Sequence, residues 1–257
     1  MLPLDGLGVL ITRPSHQAGP LCRLFETEGA SVSRFPAVDI RPLDDESAWA
    51  ARALDAFDLI LFASANAVRY GAGLLNQQRD LPLAAIGPAT ARALNQAGYR
   101  VAVQPPGNFD SESLLRHPRL ASLAGQRVLL IKGQGGRELL EQEFARRGAA
   151  VTVAEVYRRE CPSPETAELR NLESRFEMRE IQMITATSAE IGNNLLVLAT
   201  PALRRFFDAA HWLVPGARVG DILRQAGLRA PIVLAASAED QDLVSAAVRW
   251  RSSVSGA

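Results

Sequence analysis

Lysine is almost missing from this 257-residue chain: Lys132 is the only one, and arginine supplies the rest of the 28 basic residues. Schiff-base chemistry would have only Lys132 to use, and genomic base composition accounts for the arginine bias. Cysteine is scarce too. Cys22 and Cys161 are isolated and no secretory leader accompanies them, which argues against a disulfide framework or a thiolate metal site. Three dispersed histidines, His16, His117 and His211, offer no clustered ligand set for zinc, so the chain reads as metal-free. Apolar runs such as Val9 to Ile11 and Leu59 to Phe62 stop far short of the roughly 20 residues that span a bilayer. The start, MLPLDGLGVL, has neither a basic n-region nor a long apolar h-region, which makes the cytoplasm the expected location. A basic excess is absent as well: 28 Lys and Arg face 28 Asp and Glu. Attraction to nucleic acid or to an anionic membrane therefore has no support.

What is present is a soluble composition, 47% hydrophobic and 22% charged, long enough for two domains with substantial cores. Short apolar runs alternate with helix-like stretches, the pattern of parallel strands joined by helical crossovers, and the fold class is α/β. The run Gly6 to Pro14 reads as a buried strand ending in a Thr-Arg-Pro turn. A helix carrying Leu21, Leu24 and Phe25 follows and stops at Gly29, a left-handed cap; a strand from Ala30 to Phe35 comes next.

The chain also repeats itself. Shifting by 119 positions (6 + 119 = 125) lays Gly6, Val9, Leu10, Leu21, Phe25, Gly29, Ala30 and Val32 on identical residues from Gly125 to Val151, and Arg13 on Lys132. A shift of 124 (64 + 124 = 188) lays Asp58–Ala65 on Gln182–Ala189 and Ser64 on Ser188. A shift of 129 (98 + 129 = 227) lays Ala93–Gly98 on Ile222–Gly227, and the stretch from Asp110 to Leu115 on Asp240 and its neighbours up to Val244. Read by spacing alone, these are two similar halves in tandem. Two extended, proline-ended segments, Arg34 to Pro42 and Val153 to Pro162, occupy equivalent places and read as connections between two lobes, with a ligand cleft expected between the lobes.

Several turns could bind an anion. Ile131-Lys-Gly-Gln-Gly-Gly-Arg137 places Gly133, Gly135 and Gly136 between a strand and a helix, flanked by Lys132 and Arg137; a plain tight turn explains it equally well. It is neither a Walker A loop nor a dinucleotide fingerprint. Ser64, followed by Ala65 and Asn66, and its partner Ser188 stand just past strands, where a helix N-cap is their ordinary role. Thr90, in Ile86-Gly-Pro-Ala-Thr90, repeats the scheme, and no G-x-S-x-G elbow marks a serine nucleophile. Tyr157, one of three tyrosines, lies in the second connection; packing is its ordinary role, and a phenolic proton donor facing a cleft is the functional one.

Taken together and in order, Val-Leu-Ile-Thr-Arg-Pro14, Asp58 to Val68, Ala85 to Ala91, Asp110 to Leu115, Lys132 to Leu139 and Glu155-Val-Tyr-Arg-Arg159 resemble the uroporphyrinogen-III synthase family, from about Gly6 to about Val248. The resemblance implies two similar lobes, each a parallel sheet flanked by helices, joined by a two-stranded linker: 1–36 with 163–257, 41–155, and linker strands at 37–40 and 156–162. In that arrangement the first unit of each half packs with the second unit of the other. It further implies a cofactor-free, lyase-type cyclisation of hydroxymethylbilane with loss of water and inversion of the terminal pyrrole ring, in a monomer. Tyr157 stands where the family has its candidate general acid. Arg13, Ser64, Ala65, Asn66, Thr90, Lys132, Gly133, Gly135, Gly136, Arg137 and Ser188 stand on the substrate-binding rim. The partner expected is the linear tetrapyrrole itself, with transient contact to hydroxymethylbilane synthase, the deaminase that makes it. Two departures from the family pattern stand out: Val219 replaces the second-half Thr, which favours a competing reading, a non-catalytic two-lobed anion-binding or sensor protein, and Glu190 brings an unfavourable negative charge near Ser188 on the carboxylate-binding rim.

Overall fold

The structure, a computed structural model, describes residues 2–43, 54–75, 80, 82–105, 111–136 and 138–255. Eleven strands among them form two sheets. In chain order these are β1 (Gly8–Ile11), β2 (Ser31–Arg34), β3 (Asp39–Pro42), β4 (Leu59–Phe62), β5 (Leu83–Ala85), β6 (Val101–Val103), β7 (Arg127–Gly133), β8 (Ala150–Glu160), β9 (Met183–Thr185), β10 (His211–Pro215) and β11 (Ile232–Ala235). One sheet runs β11-β10-β9-β1-β2 and the other β3-β8-β7-β4-β5-β6. Parallel pairing links β2-β1-β9-β10-β11 in the first and β8-β7-β4-β5-β6 in the second.

The apolar runs form the inner strands because a parallel sheet covered by helices on both faces buries every side chain, not alternate ones. All four residues of β1 (GVLI) and of β4 (LILF) are buried. In the six-stranded sheet, Ile60, Phe62, Leu129 and Ile131 pack on one face, and Leu59, Leu61, Val128 and Leu130 on the other. In the five-stranded sheet, Val9, Ile11, Met183 and Leu213 pack against Leu21 and Phe25 of the helix Ser15–Thr27 and against Leu243 and Ala247 of the helix Asp240–Ser255.

The chain divides into two compact units, Met1–Asp39 with Glu160–Ala257, and Ile40–Arg159. The tandem reading taken from spacing alone therefore needs correction: β1 and β2 share a sheet with β9 to β11, while β7 and β8 share one with β4 to β6. Apart from the extra edge strand β3, the two sheets have the same spatial order, and the second is a circular permutation of the first in chain order. Nor is the segment around Tyr157 a bare connection. It belongs to the eleven-residue strand β8, which pairs with β7 as far as Tyr157, and β3 lies at that sheet's edge beside β8.

Candidate active site

In an open parallel sheet, ligands collect beyond the carboxyl ends of the strands, where neighbouring strands send their connections in opposite directions. In the six-stranded sheet that point falls between β4, which leads to β5, and β7, which leads to β8. Ser64 stands just past β4. It caps the helix Ala65–Gly71, its Oγ accepting from the Ala67 N–H at 2.9 Å, while Ala65 and Asn66 form the first turn. The same Oγ lies 3.1 Å from the hydroxyl of Tyr157, and either oxygen can donate.

Tyr157 is 5% exposed and reaches Ser64 because the ladder slips by one residue. Lys132 faces Glu155, yet Gly133 faces Tyr157, which leaves Val156 as the extra residue of a bulge. Strict alternation would send Val156 and Tyr157 to opposite faces; the bulge lets both pack in one apolar cluster. The phenol ring then occupies the space where a side chain on Gly133 would stand, since a Cβ there would lie 2.4 Å from the ring Cζ. Tyr70 packs against the ring at 5.8 Å between centroids and donates its own hydroxyl to the Ile40 carbonyl at 2.9 Å.

Beyond Gly133 the glycine turn opens into a depression of about 860 Å³, lined in part by Lys132, Gln134, Gly135, Gly136, Glu141 and Glu155. Gly135 and Gly136 have φ of +71° and +84°, and the helix starts only at Leu139. Two of the turn's donors already have carboxylate partners within the chain. The Gly135 N–H donates to Glu155 Oε1 at 3.1 Å, and Lys132 Nζ to Glu141 Oε1 at 2.6 Å. Lys132 is thus paired, and the sequence reading missed both glutamates; Arg137 lies outside the described residues. Thr90 is not a cap: Gly87 holds that position for the helix Pro88–Gln96, and Thr90 is buried in its first turn.

Arg13 and Ser188 belong to the other unit. Ser188 caps the helix Ala189–Leu198, accepting from the Ile191 N–H at 3.2 Å, with Glu190 in the first turn where the helix dipole favours a carboxylate. The guanidinium of Arg13 bonds the Asp240 carboxylate and the Ala238 carbonyl, and reaches Thr187 Oγ1 at 3.4 Å. Val219 follows the N-cap Gly216 by three residues, as Thr90 follows Gly87, so the missing hydroxyl is a local replacement on an equivalent helix. No group of His, Cys, Asp and Glu among the described residues could hold a metal ion, and no described helix is long and apolar enough to cross a membrane.

A family model described as uroporphyrinogen-III synthase HemD matches residues 20–245. The chain belongs to the uroporphyrinogen-III synthase family. It is similar to the uroporphyrinogen-III synthase of Escherichia coli, 33% identical over 219 residues that cover 81% of this chain and 84% of that one. The Salmonella typhimurium synthase is likewise 33% identical, over 215 residues, with the same coverage of both chains. Two solved synthases share the fold. That of Helicobacter pylori has a TM-score of 0.65 at 16% identity, covering 95% of this chain and 99% of its own; a mutant form from Thermus thermophilus has 0.58 at 23%, covering 98% and 100%. Membership makes the chain an enzyme of tetrapyrrole biosynthesis and accounts for an α/β protein with two sheets whose parallel strands share one order.

Proposed function

We propose that this synthase converts hydroxymethylbilane to uroporphyrinogen III with Tyr157 as the proton donor. The observation that carries the assignment is the 3.1 Å contact between the Tyr157 and Ser64 hydroxyls at the carboxyl edge of β4 and β7. Ser64 Oγ is held by the Ala67 N–H, so it presents a fixed oxygen that orients the phenol. The phenol passes its proton to the hydroxyl on the terminal methylene of the bilane, the C–O bond breaks, and water leaves. The electron-deficient azafulvene so formed bonds to the substituted carbon of the far terminal ring, giving a spiro centre. That centre reopens and closes on the ring's free α-carbon, and the α-proton released there restores the phenol. Acid catalysis of this kind contributes about 10²- to 10⁴-fold; holding a flexible chain in a reactive conformation contributes more.

Binding falls to the polar groups at the same strand ends. Asn66, Thr90, Lys132 and the backbone of Ala65, Gly133, Gly135 and Gly136 lie in the unit that holds Tyr157, and Arg13 and Ser188 occupy the corresponding edge of the other unit. Acetate and propionate groups would displace Glu155 from Gly135 and Glu141 from Lys132. The reaction calls for no cofactor. A cytoplasmic monomer, receiving its unstable substrate by transient contact with hydroxymethylbilane synthase, completes the reading. The competing reading, a non-catalytic anion-binding protein, is favoured by Val219. A coupled assay separates the two: with the deaminase generating the bilane in situ, oxidised products should run as uroporphyrin III. Isomer I alone, at the spontaneous rate, would reject catalysis.

A further inference from the structure

The unit formed by Met1–Asp39 and Glu160–Ala257 holds a cavity of about 570 Å³ at the edge where β9 and β10 begin, the end of the sheet opposite to Arg13 and Ser188. Its wall is aromatic. Phe176 and Phe206 stack at 5.5 Å between centroids with an interplanar angle of 8°, and His211 and Trp250 lie 4.6 Å apart at 50°. Burial lowers the pKa of His211, which favours its uncharged ring. Arg179 and Arg251 also line the cavity, with Glu177 as the one carboxylate among the lining residues.

Arg179 breaks a rule that four other helix ends among the described residues keep. Five helices, Ser15–Thr27, Pro88–Gln96, Leu139–Arg146, Ala217–Gln225 and Thr166–Glu177, end in the same turn: one N–H bonds the carbonyl three residues back, and the next N–H bonds the carbonyl five back. In four of them the turning residue is glycine, Gly29, Gly98, Gly148 and Gly227, with φ between +84° and +95°. In the fifth it is Arg179 at φ +57°, the one non-glycine with positive φ among the described residues. That conformation is unfavourable for any residue with a Cβ. A strained residue at the rim of a cavity is a sign that the side chain is kept for use. The guanidinium of Arg179 has no carboxylate partner among the described residues, whereas its neighbour Arg175 pairs with Glu180 at 2.9 Å.

We propose that this cavity binds a planar aromatic anion, whose ring system lies against Phe176, Phe206, His211 and Trp250 and whose anionic group meets Arg179 at the mouth. The volume suits a drug-sized molecule, and an aromatic wall with an unpaired guanidinium is complementary to an apolar plate carrying one negative charge. Neither Tyr157 nor Ser64 belongs to this unit, so the proposal stands apart from the assignment of the reaction.

The test uses the full chain and two probes of similar shape, 8-anilinonaphthalene-1-sulfonate and its uncharged relative N-phenyl-1-naphthylamine, followed by probe fluorescence and by quenching of tryptophan emission. The sulfonate should saturate a single site and bind more tightly than the neutral probe. Arg179→Gly and Arg179→Asn both suit a left-handed backbone and remove the charge. Each should weaken sulfonate binding about 10- to 100-fold, the worth of one charge-assisted hydrogen bond, and leave the neutral probe unaffected. The thermal midpoint of Arg179→Gly should rise, which separates lost binding from lost structure. A folded Phe206→Ala variant should lose both probes. Equal affinity of the wild type for both probes, unchanged sulfonate binding in the two Arg179 variants, unchanged binding in Phe206→Ala, or no saturable binding at all would each overturn the proposal.

Discussion

The hydroxyls of Tyr157 and Ser64 lie 3.1 Å apart, and the serine oxygen is simultaneously held by the Ala67 N–H, so one side chain caps a helix and anchors the phenol. The two duties separate by mutation. Tyr157→Phe keeps the ring packing and removes only the hydroxyl, with its proton and its bond to Ser64, so the rate of isomer III formation should fall about 10²- to 10⁴-fold while stability falls by only about 1 kcal/mol. A Tyr157→Phe enzyme that turns over at the wild-type rate would end the acid assignment. Ser64→Ala removes the cap and should cost about 1 kcal/mol of stability, together with a smaller loss of rate than Tyr157→Phe, measured by denaturant unfolding and the same assay.

Gly133 is the floor beneath the phenol. A Cβ at that position would lie 2.4 Å from Tyr157 Cζ and 2.8 Å from its hydroxyl. Gly133→Ala must therefore push the ring aside, at a cost of about 1–3 kcal/mol typical of overpacking. In the assay it should lower turnover nearly as much as Tyr157→Phe, and the double variant should lose little further activity. Additive losses would show that Gly133 does not act through the tyrosine.

Arg13 joins three segments of its unit, bonding Asp240, the Ala238 carbonyl and Thr187 with a side chain only 14% exposed. Removing one partner of such a pair leaves a poorly solvated charge behind. Arg13→Ala and Asp240→Ala should each lower stability by roughly 1–3 kcal/mol, and a double-mutant cycle should give a coupling clearly above zero. Additive effects would mean that the contact contributes nothing to stability.

Acid sensitivity should be traceable to Glu143. Its carboxyl is held down to about 2, first by the hydrogen bond from Arg146 and then by that from Arg147. A carboxyl with a depressed folded pKa adds stability above its unfolded value of 4.5, and that stability is lost as the pH falls from 4.5 toward about 2. Glu143→Gln should flatten the stability profile in that window and leave the slope near neutrality unchanged, as read from urea unfolding at a series of pH values. An unchanged acid limb would remove Glu143 as a cause.

Local features were legible because they depend on adjacent residues. The serines after Phe62-Ala63 and Ala186-Thr187 are caps, as strand-to-helix spacing suggests. Gly29 and Gly148, matched by the repeat, both take the left-handed turn. Thr90 was misjudged because Gly87, with no side chain to give a signal, holds the cap position. The pairing of Lys132, which flanks the glycine turn, is not legible because its partner Glu141 lies nine residues on, a separation at which only the actual turn geometry brings a carboxylate to an amine. Glu155 and Gly135 are twenty residues apart and meet through strand register.

By itself the sequence determined that the protein is α/β, duplicated and built on buried parallel strands, since continuous apolar runs and helix ends are properties of short segments. It also carried the ordered motifs that resemble the synthase family. Only the tertiary structure decided that β1 and β2 sit with β9 to β11, that a bulge at Val156 turns Tyr157 toward Ser64, and that Glu141 and Glu155 occupy the donors of the glycine turn. These are choices of partner and register, and a slip of one residue reverses the face that every side chain presents. Such choices follow from the summed burial of whole strands and helices, which no short stretch of sequence records.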